Sequence, residues 1–185
     1  MDILEQLKHY RPQNPQEQQD LSEILRRLQQ GEALYDREQP AHFTASAWVV
    51  SPDRTQVLLA YHNLYDSWAW LGGHADGDRD LLAVALREVQ EESGLTAVPV
   101  CAEPFSVEIL AVAGHEKKGQ YVSSHLHLNL TYLLEAAPAA PVRCKADENS
   151  RVGWFSLKDA PAASSEPWMR ERIYRKLNEK LAALL

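Results

Sequence analysis

Three glutamates at helical spacing are the residues of this chain whose arrangement could most clearly do chemistry. Glu88, Glu91 and Glu92 stand at i, i+3 and i+4, so a helix would carry all three carboxylates on one face. Like charges at these spacings repel one another, and Arg87 is the cation close to them in sequence. A divalent cation would neutralise the group, and ligands made only of oxygen favour Mg²⁺ or Mn²⁺. The bare spacing also fits a solvated acidic helix surface, so the flanking sequence has to decide between the two interpretations.

The flanking sequence favours the metal site. Two glycines, Gly72 and Gly73, precede the helix and allow backbone to approach a ligand closely, and Gly94 permits a tight exit. Residues 73–95 read GHADGDRDLLAVALREVQEESGL. This segment resembles the Nudix box: residues 87–95 match its second half, Arg-Glu-apolar-x-Glu-Glu-x-Gly-apolar, and Gly73 stands at its first glycine.

The resemblance implies a fold and an activity. The fold is α/β, a Nudix-like α/β/α sandwich with a mixed sheet, occupying residues 39–185 after an N-terminal helical extension. The activity is Mg²⁺-dependent (or Mn²⁺-dependent) hydrolysis of the diphosphate linkage in a nucleoside diphosphate-X substrate. We therefore expect a small-molecule diphosphate, nucleotide-derived, as the partner of this protein.

The resemblance also implies roles for individual residues. The metal ions would be held by Glu88, Glu91, Glu92 and the backbone carbonyl of Gly72. They would neutralise diphosphate oxygens and orient the attacking water. Arg87 would orient Glu88 rather than contact the substrate.

One position departs from the family pattern. Arg79 stands where the family has its first glutamate, and it is flanked by Asp78 and Asp80. That glutamate mainly braces the loop against the helix, a task that an acidic neighbour could take over. The departure leaves the three helix carboxylates intact.

The general base varies within the family and can come from a later loop. Glu148, just ahead of a predicted strand, is our candidate, and Asp147 is the second. Both are equally compatible with an ordinary acidic turn.

Two histidines share one face of a predicted strand. His125 and His127 alternate with leucines, and alternation places them on the opposite face of a sheet from the leucines. There they could border the substrate cavity and contact phosphate, although structural histidines are the simpler interpretation. A His-x-His pair can also bind zinc, but the sequence shows no third ligand for it. His74 is a further candidate substrate neighbour because it follows the two glycines.

Aromatic residues ahead of the box could stack on a nucleobase. Tyr65 and Trp70 are the candidates, although core packing explains at least half of the aromatic residues in this stretch, which also holds Tyr61 and Trp68.

Two alternative functions share the fold. A non-catalytic sensor could bind a nucleotide through the same site, which Arg79 favours and the intact glutamates disfavour. An enzyme like isopentenyl diphosphate isomerase would need a cysteine near the glycine-rich loop. Cys101 and Cys144 lie elsewhere in the sequence.

The elements that would position these residues follow from hydrophobic periodicity. Strands are predicted at residues 43–50, 56–61, 105–113, 121–134 and 152–156, with a hairpin loop at 115–120. Helices are predicted at 80–93 and 166–184. Gly72 and Gly73 are expected in a loop. This order predicts a mixed sheet between helices.

Residues 1–38 have a different character. They are polar and rich in glutamine, apolar residues recur at helical spacing between Leu21 and Leu28, and Pro12 and Pro15 separate two helices. We interpret this segment as a helical extension that serves packing or dimerisation rather than catalysis. Homodimers are common among Nudix proteins, so the resemblance also implies a homodimer.

The charge, cysteine content and hydrophobic runs of the sequence restrict the partners and the location of the protein. The formal charge is −7, which disfavours nucleic-acid binding because that requires a basic surface. The two cysteines suit a reducing compartment. The first residues contain no apolar leader and no run reaches membrane-spanning length. We therefore expect a cytoplasmic protein that does not bind membranes.

Overall fold

A computed structural model describes residues 2–117 and 119–184. The strands are β1 (Ala41–Val50), β2 (Gln56–His62), β3 (Ser67–Ala69), β4 (Leu71–His74), β5 (Val98–Pro99), β6 (Ser106–Val112), β7 (His115–Lys117), β8 (Gln120–Val122), β9 (His125–Glu135) and β10 (Asn149–Ser156). The helices are α1 (Ile3–His9), α2 (Pro15–Gln29), α3 (Leu81–Ser93), α4 (Ala160–Ala163) and α5 (Arg175–Ala182), the last preceded by a π-helical stretch, Met169–Tyr174.

The main sheet is mixed, as the sequence predicted. Its order is β10-β2-β1-β9-β5, with β3 beside β2, β4 beside β1 and β6 beside β9. Strand β1 runs parallel to β9 and antiparallel to β2 and β4. The sheet and the helices around it form an α/β/α sandwich with a mixed sheet, as predicted.

Strand β1 lies between two apolar cores, one on each face of the sheet. All ten of its residues are buried, which is typical of a strand covered on both faces. Phe43 and Ala45 face the core that contains Val84 and Val89 of α3, and Trp48 faces the core beneath the C-terminal helix. The strand that carries the site is therefore fixed from both sides.

Helix α3 begins and ends where the sequence places its boundaries. Asp80 caps it by accepting a hydrogen bond from the Ala83 amide at 3.0 Å. Gly94 ends it with φ 75°, a left-handed conformation that glycine adopts without strain. The box glutamates therefore lie on a helix of fixed start and register.

The N-terminal extension packs on the domain. Its apolar residues Leu7, Leu21 and Ile24 join the core that contains α3. The Asp20 carboxylate accepts a hydrogen bond from the Ile109 amide of β6 at 2.9 Å. Because an edge strand otherwise presents unpaired backbone groups, helix α2 protects this side of the sheet.

A buried ionic cluster joins the extension, the sheet and the C-terminal helix. The Lys176 ammonium lies 2.8 Å from Glu108 and 3.4 Å from Glu17, and these three side chains are at most 3% exposed. Lys180 also contacts Glu17 at 2.8 Å. Burial acts to raise the pKa of Glu17, but hydrogen bonds from Lys180 and the Gln13 amide hold it well below its usual range.

Three sequence predictions of local structure were wrong, although the predicted antiparallel pairing of the flanking strands is confirmed by β6 and β9. The strand expected at 121–134 is divided into β8 and β9, and the expected loop at 115–120 contains β7, which pairs with β8 in a separate hairpin. The Gly114 amide bonds the Ser124 hydroxyl at 2.9 Å beside this break. Gly72 and Gly73 lie in β4 rather than in a loop, since they pair with β1.

Among residues 2–117 and 119–184, none of the helices combines the length and the apolar composition that a membrane span needs.

Candidate metal and substrate site

The carboxylates of helix α3 lie directly against the backbone of β4. Glu92 is 4% exposed, and its Oε2 accepts a hydrogen bond from the Gly72 amide at 2.9 Å. A Cβ atom added to Gly73 would lie 2.5 Å from Cδ and Oε1 of Glu88. The helix can approach this closely only because the strand carries glycine there.

Burial and mutual repulsion make this cluster unfavourable when every carboxylate is ionised. Burial raises the pKa of Glu92 to about 8; the charges of Glu88 and Glu148 add to the shift, and the Gly72 amide opposes it. Burial also raises the pKa of Glu88, with Lys145 opposing the shift. A divalent cation would relieve this repulsion, and carboxylate oxygens are the ligands that Mg²⁺ and Mn²⁺ prefer, so the chemistry of these donors fits either ion.

Lys145 connects the box to a distant loop, and sequence analysis did not single it out. Its ammonium lies 3.0 Å from Glu91 and 3.0 Å from Glu148. Burial acts to lower the pKa of Lys145, but hydrogen bonds with Glu148 and Glu91 raise it. The predicted general base, Glu148, is thereby brought to the box, whereas its predicted alternative, Asp147, is exposed in the adjacent turn.

Asn149 is a second residue that sequence analysis missed. It is fully buried, its Nδ2 donates to the Glu92 carbonyl at 3.1 Å, and its Oδ1 accepts from the Lys145 amide at 3.0 Å. The one available signal was a polar amide at the end of the acidic loop ahead of the strand predicted at 152–156. Asn149 fixes the loop that carries Lys145 and Glu148 against the end of α3.

Arg79 replaces the first glutamate of the family pattern, and a different residue stabilises the loop there. Asp78 pairs with Arg87 at 3.1 Å and also accepts a hydrogen bond from the Asp80 amide at 3.0 Å. The exposed Arg79 guanidinium lies 5.0 Å from the centre of the Tyr35 ring. The Asp78–Arg87 ion pair therefore holds the loop ahead of α3 against the helix.

Four histidines meet on the sheet next to the glycine pair. Sequence analysis found no third ligand for the His125–His127 pair; the structure brings His42 and His74 to it, and one potential ligand atom from each of the four lies within 4.8 Å of the others. The parallel register of β1 and β9 sets His42 opposite His127. Burial lowers the pKa of His42 and lowers that of His127 to about 2, so both rings are neutral imidazoles.

The aromatic candidates have different surroundings. Trp70 is partly buried in the second core, with its ring centre 5.7 Å from that of Tyr174. Tyr65 is 41% exposed, and its ring lies 4.5 Å from His62. Packing accounts for Trp70, whereas Tyr65 is accessible to a ligand.

The cysteines are exposed. Cys101 and Cys144 are both free thiols at the surface, outside the glycine-rich segment of the box.

Solved structures share this fold. A NUDIX family hydrolase from Clostridium perfringens is 22% identical, with 78% of this chain and 98% of that chain covered at a TM-score of 0.53. A NUDIX hydrolase from Nitrosomonas europaea is 19% identical, with 76% and 88% covered at 0.55. The dihydroneopterin triphosphate pyrophosphohydrolase of E. coli is 15% identical, with 75% and 94% covered at 0.54.

Sequence comparison gives the family. No curated protein matches the chain. The model of the NUDIX domain matches residues 40–177, which include the box, the carboxylates against β4, Lys145 and Asn149. These matches agree with the predicted enzyme class, a hydrolase acting on diphosphate bonds. The chain belongs to the NUDIX domain family.

Proposed function

We propose that this protein is a Mg²⁺-dependent (or Mn²⁺-dependent) hydrolase that cleaves the diphosphate linkage of a nucleoside diphosphate-X substrate. The observation that carries the proposal is the packing of Glu88 and Glu92 against the glycines of β4, with Glu91 beside them. The metal ligands are these three carboxylates and the carbonyl of Gly72. When bound, the metal neutralises the diphosphate oxygens and activates water.

The chain's own residues then have separate tasks. Glu148 accepts a proton from the attacking water. Lys145 holds the Glu148 carboxylate beside Glu91, because its ammonium pairs with both. Asn149 fixes the backbone from which both come. Arg87 is a positioning residue because its ion pair with Asp78 holds the loop ahead of α3 in place.

The substrate class rests on the family and on the accessible side chains. The E. coli neighbour is named a pyrophosphohydrolase, which supports diphosphate chemistry without identifying X. The accessible Tyr65 is the proposed substrate contact, and His74, His125 and His127 border the substrate site in this proposal, whereas Trp70 is left to core packing. We also propose that the protein is cytoplasmic and forms a homodimer.

The test is product release from a panel of diphosphate compounds in Mg²⁺, in Mn²⁺ and in EDTA. The panel contains dinucleotides, nucleotide sugars, nucleoside triphosphates and isopentenyl diphosphate. Cleavage of one class that EDTA abolishes would support the proposal and name the substrate. Tight binding of one compound without cleavage would instead indicate a sensor.

Asp78, rather than residue 79, is expected to support activity. Because Asp78 pairs with Arg87, Asp78→Ala should lower kcat/KM about tenfold, as the loss of a supporting contact near a metal site does. Restoring the family residue with Arg79→Glu should leave kcat/KM within about threefold of the unmodified protein. A large gain from Arg79→Glu would show that Asp78 does not compensate.

A methyl group at Gly73 is expected to displace Glu88. The added Cβ would lie 2.5 Å from the Glu88 carboxylate, and a shift of about 1 Å at a reacting centre can cost about a hundredfold in rate. We expect Gly73→Ala to lower kcat about tenfold to a hundredfold in steady-state assays.

Gly153→Ala is the matched control. Its Cβ would meet side chains of Phe155 and Trp68 at 3.8 Å, which is ordinary contact. It should keep full activity. Equal activity of the two variants would show that Glu88 does not need its place against β4.

A further inference from the structure

We propose that His42, His74, His125 and His127 bind one transition-metal cation, with Zn²⁺ as the best fit, at a site separate from the box carboxylates. The four side chains come from β1, β4 and β9. One ligand atom of each lies within 4.8 Å of the other three. No part of the proposed hydrolysis uses a metal at this position.

Backbone carbonyls hold two of the rings in the orientation of ligands. The Nδ1 of His42 donates to the Gln39 carbonyl at 2.8 Å, and the Nδ1 of His125 donates to the Ser123 carbonyl at 2.8 Å. Each bond leaves Nε2 unprotonated, so that nitrogen carries a lone pair that can bind a metal ion. Metal-binding histidines show this pattern, with one ring nitrogen on a carbonyl and the other on the ion.

One of these lone pairs is buried without a partner. His42 is 2% exposed, and its Nε2 has no hydrogen-bond partner among the described residues. A buried acceptor left unsatisfied is unfavourable, whereas a metal–nitrogen bond would satisfy it. The atom is therefore evidence for a ligand in the cluster.

The spacing of the nitrogens fits a single ion. The Nε2 atoms of His125 and His127 are 3.1 Å apart. Two ligands at about 2.0–2.1 Å from a tetrahedral zinc ion lie about 3.3 Å from each other. The two nitrogens share a hydrogen bond at this distance, which is close to the separation that a shared ion requires, so a bound metal ion would take the place of the bridging proton.

The ligand type separates this site from the carboxylate site. Imidazole nitrogen suits Zn²⁺, Co²⁺, Ni²⁺ and Cu²⁺, whereas Mg²⁺ takes oxygen ligands. The two sites adjoin along β4, since His74 directly follows the glycine pair against which Glu88 and Glu92 pack.

The experiment is a Co²⁺ titration of chelator-treated full-length protein in excess Mg²⁺, which occupies the carboxylates. Bound Co²⁺ is followed by its visible absorption and counted by elemental analysis after gel filtration, and Zn²⁺ is then added as a competitor. We expect one Co²⁺ per chain, with absorption typical of nitrogen-rich tetrahedral coordination, displaced by Zn²⁺.

His42→Gln and His125→Gln should each weaken Co²⁺ binding by at least about tenfold. Circular dichroism confirms folding, and the partly exposed His125 is the milder of the two changes. His115→Gln is the matched control, because that ring lies 6.3 Å from His125 and outside the cluster. Glu91→Gln should bind Co²⁺ normally even though the proposed hydrolysis would fail.

Two results would overturn the site. One is the absence of Co²⁺ and Zn²⁺ binding by the folded protein. The other is binding that persists in both folded histidine variants or disappears in Glu91→Gln, which would assign the ion to the carboxylates.

Discussion

Replacing Glu92 by glutamine is expected to abolish diphosphate hydrolysis and, in the metal-free protein, to make the fold more stable at pH 8 and above. Glu92 is a proposed metal ligand, so its loss should lower kcat by at least about a hundredfold. Its carboxylate is also buried beside Glu88 and Glu148, where a negative charge is unfavourable without a cation. Glutamine keeps an oxygen for the Gly72 amide and never acquires that charge.

The sign of the pH dependence follows from the raised pKa of Glu92. The value is about 8 in the folded protein against 4.5 for the free side chain. Between these pH values the folded state holds a proton that the unfolded state has lost. The associated stability is therefore complete below about pH 4.5 and is lost as the pH rises through about 8. Each pKa unit corresponds to about 1.4 kcal/mol, so a change of about 2–5 kcal/mol is expected.

Denaturant unfolding in EDTA between pH 5 and pH 9 measures this effect. Glu91→Gln is the control, because Glu91 is exposed and pairs with Lys145. It should lose turnover with little change in the free energy of unfolding. Lower stability of Glu92→Gln at pH 9, or turnover close to that of the unmodified protein, would contradict the account of the site.

Replacing Lys176 by methionine is expected to destabilise the protein by about 3–5 kcal/mol, as the loss of one partner from a buried ion pair does. The ammonium contacts Glu108 and Glu17, whose side chains are fully buried. Without it, Glu108 keeps hydrogen bonds from Asn129 and Thr131 but has lost its cation. The N-terminal extension should be loosened because Glu17 belongs to it.

Arg175→Met is the matched control on the neighbouring residue. Its ion pair with Glu171 is exposed on both sides, and such pairs contribute about 0–1 kcal/mol. Chemical denaturation of both variants gives the comparison. Equal stability of the two proteins would mean that the buried cluster does not hold the extension to the C-terminal helix.

The sequence by itself determined the box helix and the chemistry that it carries. Helical spacing placed Glu88, Glu91 and Glu92 on one face, and Asp80 and Gly94 marked the ends of α3 within one residue. These features are local, because capping, φ preference and side-chain direction depend on a few neighbouring residues. The family and fold class followed from the same segment and are confirmed by the NUDIX domain match at residues 40–177.

Tertiary structure alone decided which distant residues meet. Strand pairing placed Gly72 and Gly73 within β4 and set His42 opposite His127. Lys145 reaches Glu91 from a position 54 residues away. Such contacts depend on the register of non-adjacent strands, and a shift of one residue would turn each histidine to the other face. No local pattern encodes that register, so the histidine cluster could be recognised only once β1, β4 and β9 were paired.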